Sequence, residues 1–194
     1  MVMTKPPTLD VAIVAYRCEA MLRECLASLD EHAAAVPMDV HVVDNDSGDG
    51  TAEMVERAFP GVGLTRATAN LGFAAATNLA IRAGRAPYVL ALNPDTRVTA
   101  GALDALLAVM EREAGVGICG PRLELPGGTF DHAARRGFPT PLSALGHFTG
   151  VGRRRGGALA AYRAPEVESG PVDAVNGACM LIRRAALDEV GLFD

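Results

Sequence analysis

The chain has 194 residues, 49% hydrophobic and 21% charged, which is enough to bury a sizeable core and unlike a disordered chain. No apolar run reaches the roughly 18 to 20 residues of a membrane-spanning helix, and the opening MVMTKPPTLD has no apolar stretch of signal-peptide length. The net charge of −5 is uneven: Arg135, Arg136, Arg153, Arg154, Arg155 and Arg163 lie in a stretch without an acid, which points to a face that meets anions.

In chain order, LDVAIVAY (9–16) is a short apolar, β-branched run and reads as a buried strand. Met21, Leu22, Cys25, Leu26 and Leu29 recur at helical spacing. VHVVD (40–44) reads as a second buried strand, with His41 inside it as a satisfied structural histidine. Residues 51–59 read as a helix stopped by FPG, and 62–67 as a third strand. An alanine-rich helix over 71–84 closes on Gly84 as its C-cap, followed by a fourth strand over 86–93. A further helix and a fifth strand (115–120) complete the alternation. Residues 121–171, rich in Pro, Gly and Arg, show no long element and read as a flexible insertion. Order returns with VDAVNGACMLIRRAALDEVGLF.

This alternation predicts an α/β sandwich with a mostly parallel central sheet. Ligands of such sheets bind beyond the carboxyl ends of the strands. Here those ends carry Tyr16-Arg17, Asp44-Asn45-Asp46, Arg66 and Asn93-Pro94-Asp95. Neither GxGxxG after the first strand nor GxxxxGK[ST] is present, so the dinucleotide fingerprint and the P-loop are absent. A phospho-acceptor domain needs paired acids after the first strand, where Tyr16 and Arg17 stand. What remains is a nucleotide held by side chains with a metal on its diphosphate. Asp44 can accept from a base or ribose, and Asp95 can ligate Mg²⁺ or Mn²⁺. Asn93, two residues earlier, shares its face if the segment is extended. Asp46, Ser47 and Asp49 read as turn and N-cap chemistry ahead of the helix at Thr51. Arg66 reads as a solvated strand end within reach of a phosphate. Cys18, Cys25, Cys119 and Cys179 lack metal-ligand spacing and read as reduced, mostly buried thiols of a cytoplasmic protein.

The motifs VAIVAY, VVDNDSGDGT, ANLGFAAATNLAI, YVLALNPDT, GPRLELPGGTF and VNGACMLIRRAALDEVGLFD occur in this order. In this the chain resembles family 2 glycosyltransferases of the GT-A fold, most closely a bacterial rhamnosyltransferase-like branch, from about Asp10 to Asp194. The resemblance implies a Rossmann-like α/β/α sandwich of GT-A type. It also implies inverting transfer of rhamnose or another hexose, from a dTDP- or UDP-sugar to a saccharide or lipid-linked acceptor, for cell-surface polysaccharide synthesis. On that pattern Ala15 and Tyr16 wall the base pocket, Asp44 and Asn45 meet the nucleotide, and Asn70, Gly72 and Asn78 lie near the donor. Asn93 replaces the first acid of a DxD motif, and Asp95 matches the metal ligand. Asn176, Gly177 and Ala178 shape the acceptor side, where small residues let a sugar approach the backbone.

In the family the catalytic base is an acid shortly after a segment like GLFD. It is therefore expected beyond Asp194, and the chain reads as a single domain cut short at its C-terminus. Asp131 and Asp173 are the fallback acids, at no motif position. Residues 1–96 read as the donor half and 97–194 as the acceptor half. The arginines from Arg135 to Arg163 read either as a solvated loop or as a contact with an anionic acceptor or the inner membrane face. Nothing calls for nucleic acid. Two other readings are weighed: a sugar-phosphate nucleotidyltransferase, whose Gly-rich basic loop AYRCEAM lacks, and a non-catalytic nucleotide-binding module.

Overall fold

The computed structural model describes residues 6–131, 135–136 and 169–194, the pair 135–136 as backbone alone. They belong to two compact units, Met1–Pro121 with Gly177–Asp194, and Arg122–Asn176. The strand that follows Gly177 returns to the sheet of the first unit.

The elements run β1 (Leu9–Ala15), α1 (Glu19–Glu31), β2 (Met38–Asp44), α2 (Thr51–Ala58), β3 (Gly63–Arg66), α3 (Phe73–Ala83) and β4 (Tyr88–Leu92). After these come α4 (Ala102–Arg112), β5 (Ile118–Cys119), β6 (Arg135–Arg136), β7 (Ala174–Val175), β8 (Cys179–Arg183) and α5 (Arg184–Val190). The main sheet has the order β3-β2-β1-β4-β8-β5. Its first four strands are parallel, β8 is antiparallel to β4, and β5 is antiparallel to β8. The expected fifth strand shrinks to Ile118–Cys119 at the sheet edge, since Gly115 and Gly117 bring no side chain to the pleat.

From β1 through β2 to β3 the chain steps one way along the sheet, and β3 to β4 steps back past both. Right-handed crossovers therefore place α1 and α2 on one face and α3 on the other. The strand order reverses between β1 and β4, so their carboxyl ends form the switch point. Ala76, Ala80 and Ile81 of α3 pack on Ala12, Val43 and Val89, where alanine lets the helix lie close to the sheet. On α1 the buried Leu22, Cys25, Leu26 and Leu29 form a helical stripe, as do Leu103, Leu106, Leu107 and Met110 on α4. Burying each such leucine contributes about 1.5–3 kcal/mol.

Gly84 closes α3 as expected, but not through a left-handed turn: its φ of −99° is extended backbone. Instead, a Cβ at Gly84 would overlap the carboxylate of Asp10. Asp10 is an acid inside a buried strand, and its Oδ2 accepts from the Ala86 N–H and from Arg184 Nη2, each at 2.7 Å. Arg184 also donates to the carbonyls of Ala86 at 2.6 Å and Ile81 at 3.3 Å, so one guanidinium closes the end of α3 onto β1. His41 departs from its expected satisfied state, because its Nε2 is buried without a hydrogen-bond partner.

In the second unit, β6 and β7 pair antiparallel, and Glu124 bridges Phe130 across a turn at Gly127-Gly128, whose φ values are +105° and +79°. Among the arginines expected to meet anions, Arg153, Arg154, Arg155 and Arg163 lie outside the described residues.

Candidate functional site

The carboxyl ends of β1, β2 and β3 are stitched together by backbone hydrogen bonds. The Asn45 N–H donates to the Ala15 carbonyl and the Ala67 N–H to the Asp44 carbonyl, both at 2.8 Å. Among the described residues, the non-glycine residues with positive φ are Arg17 at +52° and Asp46 at +65°, and both sit in these strand-end loops. Backbone strain of this kind collects at ligand sites. Ser47 joins the two loops: its Oγ accepts from the Arg17 N–H at 3.1 Å and donates to the Ala15 carbonyl at 3.4 Å. Tyr16 is exposed, with the Arg17 guanidinium 5.1 Å from its ring centre.

Asp44 is buried at the end of β2, and its Oδ1 accepts from the Ser47 N–H at 3.2 Å. It lines a cavity of about 310 Å³ with Asp46, Ser47, Gly50, Glu53 and Arg66. Arg66 stands beside Asp44 in the sheet register, and its guanidinium donates to Glu53 at 2.7 Å and Glu56 at 2.8 Å. These two carboxylates raise the guanidinium pKa further, so Arg66 remains a cation whose charge is already met at the cavity rim.

Asp49 performs the turn chemistry. It accepts from the hydroxyl and N–H of Thr51 and from the Glu19 N–H, holding the first turn of α2 behind Gly50. The Thr51 hydroxyl, ahead of these backbone bonds, holds the Asp49 carboxyl below the usual carboxylate range.

Asn45 and Asn70, both expected near the donor, are committed to one another. Asn45 Nδ2 donates to Asn70 Oδ1 at 3.1 Å and to the Gly72 carbonyl at 3.4 Å, while its Oδ1 accepts from the Leu71 N–H at 2.9 Å. Asn70 Oδ1 also accepts from the Gly72 N–H at 2.9 Å. Gly72 enters α3 with φ +77°, a conformation that requires glycine. Asn78 is buried one turn further on, where its amide grips the backbone of Phe193 at 2.8 and 3.1 Å.

At the end of β4, the segment from Asn93 to Thr96 is a turn and not the extended run expected. The Thr96 N–H donates to the Asn93 carbonyl at 3.2 Å and closes a turn around Pro94-Asp95. Pro94 presets this turn with its fixed φ. Asp95 is exposed on it. The Ala178 carbonyl accepts from the Asn93 N–H at 2.9 Å and from Thr96 Oγ1 at 3.3 Å, so the start of β8 lies against this turn. A Cβ added to Gly177 would meet nothing within 4 Å. Asn176 belongs to the other unit.

Cys18, read from sequence only as a buried thiol, reports on the site's electrostatics. Burial pushes its pKa up against a hydrogen bond to the backbone of Tyr16, and the carboxylates of Asp49, Asp95 and Asp44 push it further. Acids from two strand ends, Asp44 and Asp49 after β2 and Asp95 after β4, therefore act on this one thiol. Its signal in the sequence was position alone, three residues past β1.

The fold has counterparts among solved structures. The mannosyltransferase PcManGT from Pyrobaculum calidifontis, in complex with GDP-Man and Mn²⁺, superimposes with a TM-score of 0.61 at 22% identity, over 98% of this chain and 48% of that one. S. aureus TarS 1-349 in complex with UDP gives 0.65 at 18% identity, over 96% and 49%. The fold is that of GT-A glycosyltransferases. The profile of Glycosyl transferase family 2 matches residues 10–191, and the chain belongs to that family. It is also 34% identical over 200 residues to the N-acetylglucosaminyl-diphospho-decaprenol L-rhamnosyltransferase of two strains of Mycobacterium tuberculosis. The match covers 96% of this chain and 64% of those relatives' length.

Proposed function

We propose that the chain is the donor-binding core of an inverting glycosyltransferase that uses a dTDP- or UDP-sugar, with rhamnose as the transferred sugar. The observation that carries this reading is the buried Asp44 in its strand-end cavity, with Asp95 acting electrostatically on the same thiol, Cys18, as Asp44 does. Asp44 would accept hydrogen bonds from base or ribose, against the wall made by Ala15 and Tyr16. Asn45, Asn70 and Gly72 would act on the donor by fixing the loop that borders it.

Oxygen donors under this negative potential fit a hard divalent cation, Mg²⁺ or Mn²⁺, and Asp95 would hold it with Asn93 nearby. Such a cation supplies neutralisation of the diphosphate leaving group without a proton. The acceptor hydroxyl must still lose its proton to a base. By family resemblance that base is an acid shortly after a segment like GLFD, and in this chain Asn78 holds Phe193 of that segment.

On the acceptor side, the unhindered Gly177 and neighbouring Ala178 support close approach of a sugar to the backbone, and Asn176 is proposed to join them. The likeness to the mycobacterial enzymes supports a lipid-linked N-acetylglucosaminyl diphosphate as acceptor, and with it cell-surface polysaccharide synthesis at the cytoplasmic membrane face. The arginines from Arg135 to Arg163 are the proposed contact with that anionic surface.

The test is transfer of labelled rhamnose from dTDP-rhamnose to a synthetic N-acetylglucosaminyl-diphospholipid by this chain joined to the acidic segment its family carries after GLFD, with the anomeric configuration of the product read by NMR. Inverted product that disappears with Asp44→Ala supports the reading. Retained configuration, or transfer unaffected by Asp44→Ala, overturns it.

A further inference from the structure

At the opposite end of the sheet from Asp44, three side chains that the proposed function does not use converge. Asp10 and Asp39 are register neighbours at the starts of β1 and β2, and His41 shares the face of Asp39. Ligand atoms of the three all lie within 4.8 Å of one another. From Asp10 to Ala15 the strand rises roughly 16 Å, so this group is separate from the donor site.

Two facts distinguish it from an ordinary surface cluster of acids. Asp10 has a side chain only 1% exposed, yet its Oδ1 has no hydrogen-bond partner, and neither does the buried His41 Nε2. These two atoms face each other at 3.7 Å, too far for a hydrogen bond. Leaving two buried polar atoms unmet is destabilising unless a ligand satisfies them. The separation exceeds by only about 0.3 Å the roughly 3.3–3.4 Å edge of a tetrahedron whose bonds are about 2.0–2.1 Å long, as in N- and O-ligated Zn²⁺. Asp10 Oδ2 is already fixed by Arg184 and the Ala86 N–H, which leaves Oδ1 aimed at His41. Gly63 crowds the other side of the imidazole, since a Cβ there would stand 3.1 Å from Nδ1. Asp39 is exposed and opens the group to solvent.

We propose that Asp10, Asp39 and His41 form a binding site for a first-row divalent transition ion of the Zn²⁺ type, separate from any metal on the donor diphosphate. Asp10 Oδ1, His41 Nε2 and one Asp39 oxygen are its ligands, and water completes the coordination. Two carboxylates and one guanidinium leave a net charge of −1 beside the imidazole, which suits a dication. The ion fastens β1 to β2 at the edge where Arg184 fastens α5 and the end of α3. The inference is independent of the sugar-transfer reading.

Titration with Co²⁺ followed by visible absorption tests it, alongside the melting temperature with Zn²⁺. The expected result is one equivalent of Co²⁺ giving a ligand-field band without thiolate charge-transfer absorption, and a raised melting temperature with Zn²⁺. Both persist in Asp95→Ala and vanish in His41→Gln. Asp39→Asn, at an exposed position that does not endanger folding, weakens binding about tenfold or more. Absence of the band in the wild type, thiolate absorption, loss of the band in Asp95→Ala, or unchanged affinity in Asp39→Asn would overturn the proposal. The last arm decides the matter even if His41→Gln does not fold.

Discussion

The side-chain amide of Asn78 closes a two-way hydrogen-bonded clasp on the backbone of Phe193. Nδ2 donates to the Phe193 carbonyl at 2.8 Å, and Oδ1 accepts from its N–H at 3.1 Å. A residue of α3 thereby fixes a segment more than one hundred positions away, with Phe73 and Phe193 meeting edge to face at 6.2 Å beside it. Asn78→Ala removes both bonds and leaves buried groups unmet, so urea unfolding should show a loss of about 2–4 kcal/mol. Nucleotide affinity should stay within about threefold of wild type, because the clasp faces Phe193. A large loss of affinity at unchanged stability would return Asn78 to direct donor contact.

Gly84→Ala gives a test with an unusual sign. At an ordinary helix end with extended φ, alanine is neutral or stabilising by a few tenths of a kcal/mol up to about 1. Here the methyl group would enter the space of the Asp10 carboxylate. The expected outcome is destabilisation of about 1–3 kcal/mol, measured by chemical unfolding. Arg184→Ala should cost about 3–5 kcal/mol, since it leaves the Asp10 charge buried with only a backbone N–H.

Much of this architecture was legible in the sequence because its signals are local. The apolar β-branched run of β1 and the helical stripe of α1 follow from periodicity, so the sheet could be read, and with it the strand ends that carry the candidate site. The failures involve contacts distant in sequence. The turn over Asn93–Thr96 is the exception, a local one that Pro94 signals. Nothing near Gly84 says that its neighbour is Asp10, and a C-cap glycine is the ordinary local reading. β8 enters the sheet between β4 and β5, a pairing that periodicity cannot reveal. Asp10 did carry a visible signal, an acid in an otherwise apolar strand, and its meaning depended on Arg184.

The two acids flanking the loop after β2 should separate by role. Asp49→Ala removes the bonds that start α2 and should cost about 1 kcal/mol, with little change in nucleotide affinity. Because the folded-state pKa of Asp49 is lowered, the stability it contributes is present at neutral pH and is lost as pH falls through the carboxylate range. The stability gap between wild type and Asp49→Ala should therefore narrow in acid. Asp44→Ala should instead weaken nucleotide binding about tenfold to a hundredfold.

The buried thiols predict an alkaline limit. Burial pushes Cys25 and Cys179 up to about 12. A pKa raised on folding means stability is complete below the unfolded thiol's range and is lost as pH climbs toward 12. Each thiol should contribute a decline of about 1.4 kcal/mol per pH unit above roughly pH 9. The decline is read as the narrowing difference between wild type and Cys179→Ala in urea unfolding at increasing pH. Iodoacetamide at pH 8 should alkylate the half-buried Cys119 first, and Cys25 and Cys179 only after denaturation.

The central claim is that Asp44 and Asp95 build a metal-assisted nucleotide site at the carboxyl ends of the parallel strands. It is tested most directly by calorimetric titration of dTDP, UDP and GDP into the wild-type chain and Asp95→Ala, with and without Mn²⁺. The account predicts binding of dTDP or UDP, not GDP, strengthened by Mn²⁺ in the wild type and about tenfold or more weaker in Asp95→Ala. Absence of binding by any of the three to the folded chain, or binding indifferent to both Mn²⁺ and Asp95→Ala, would contradict it.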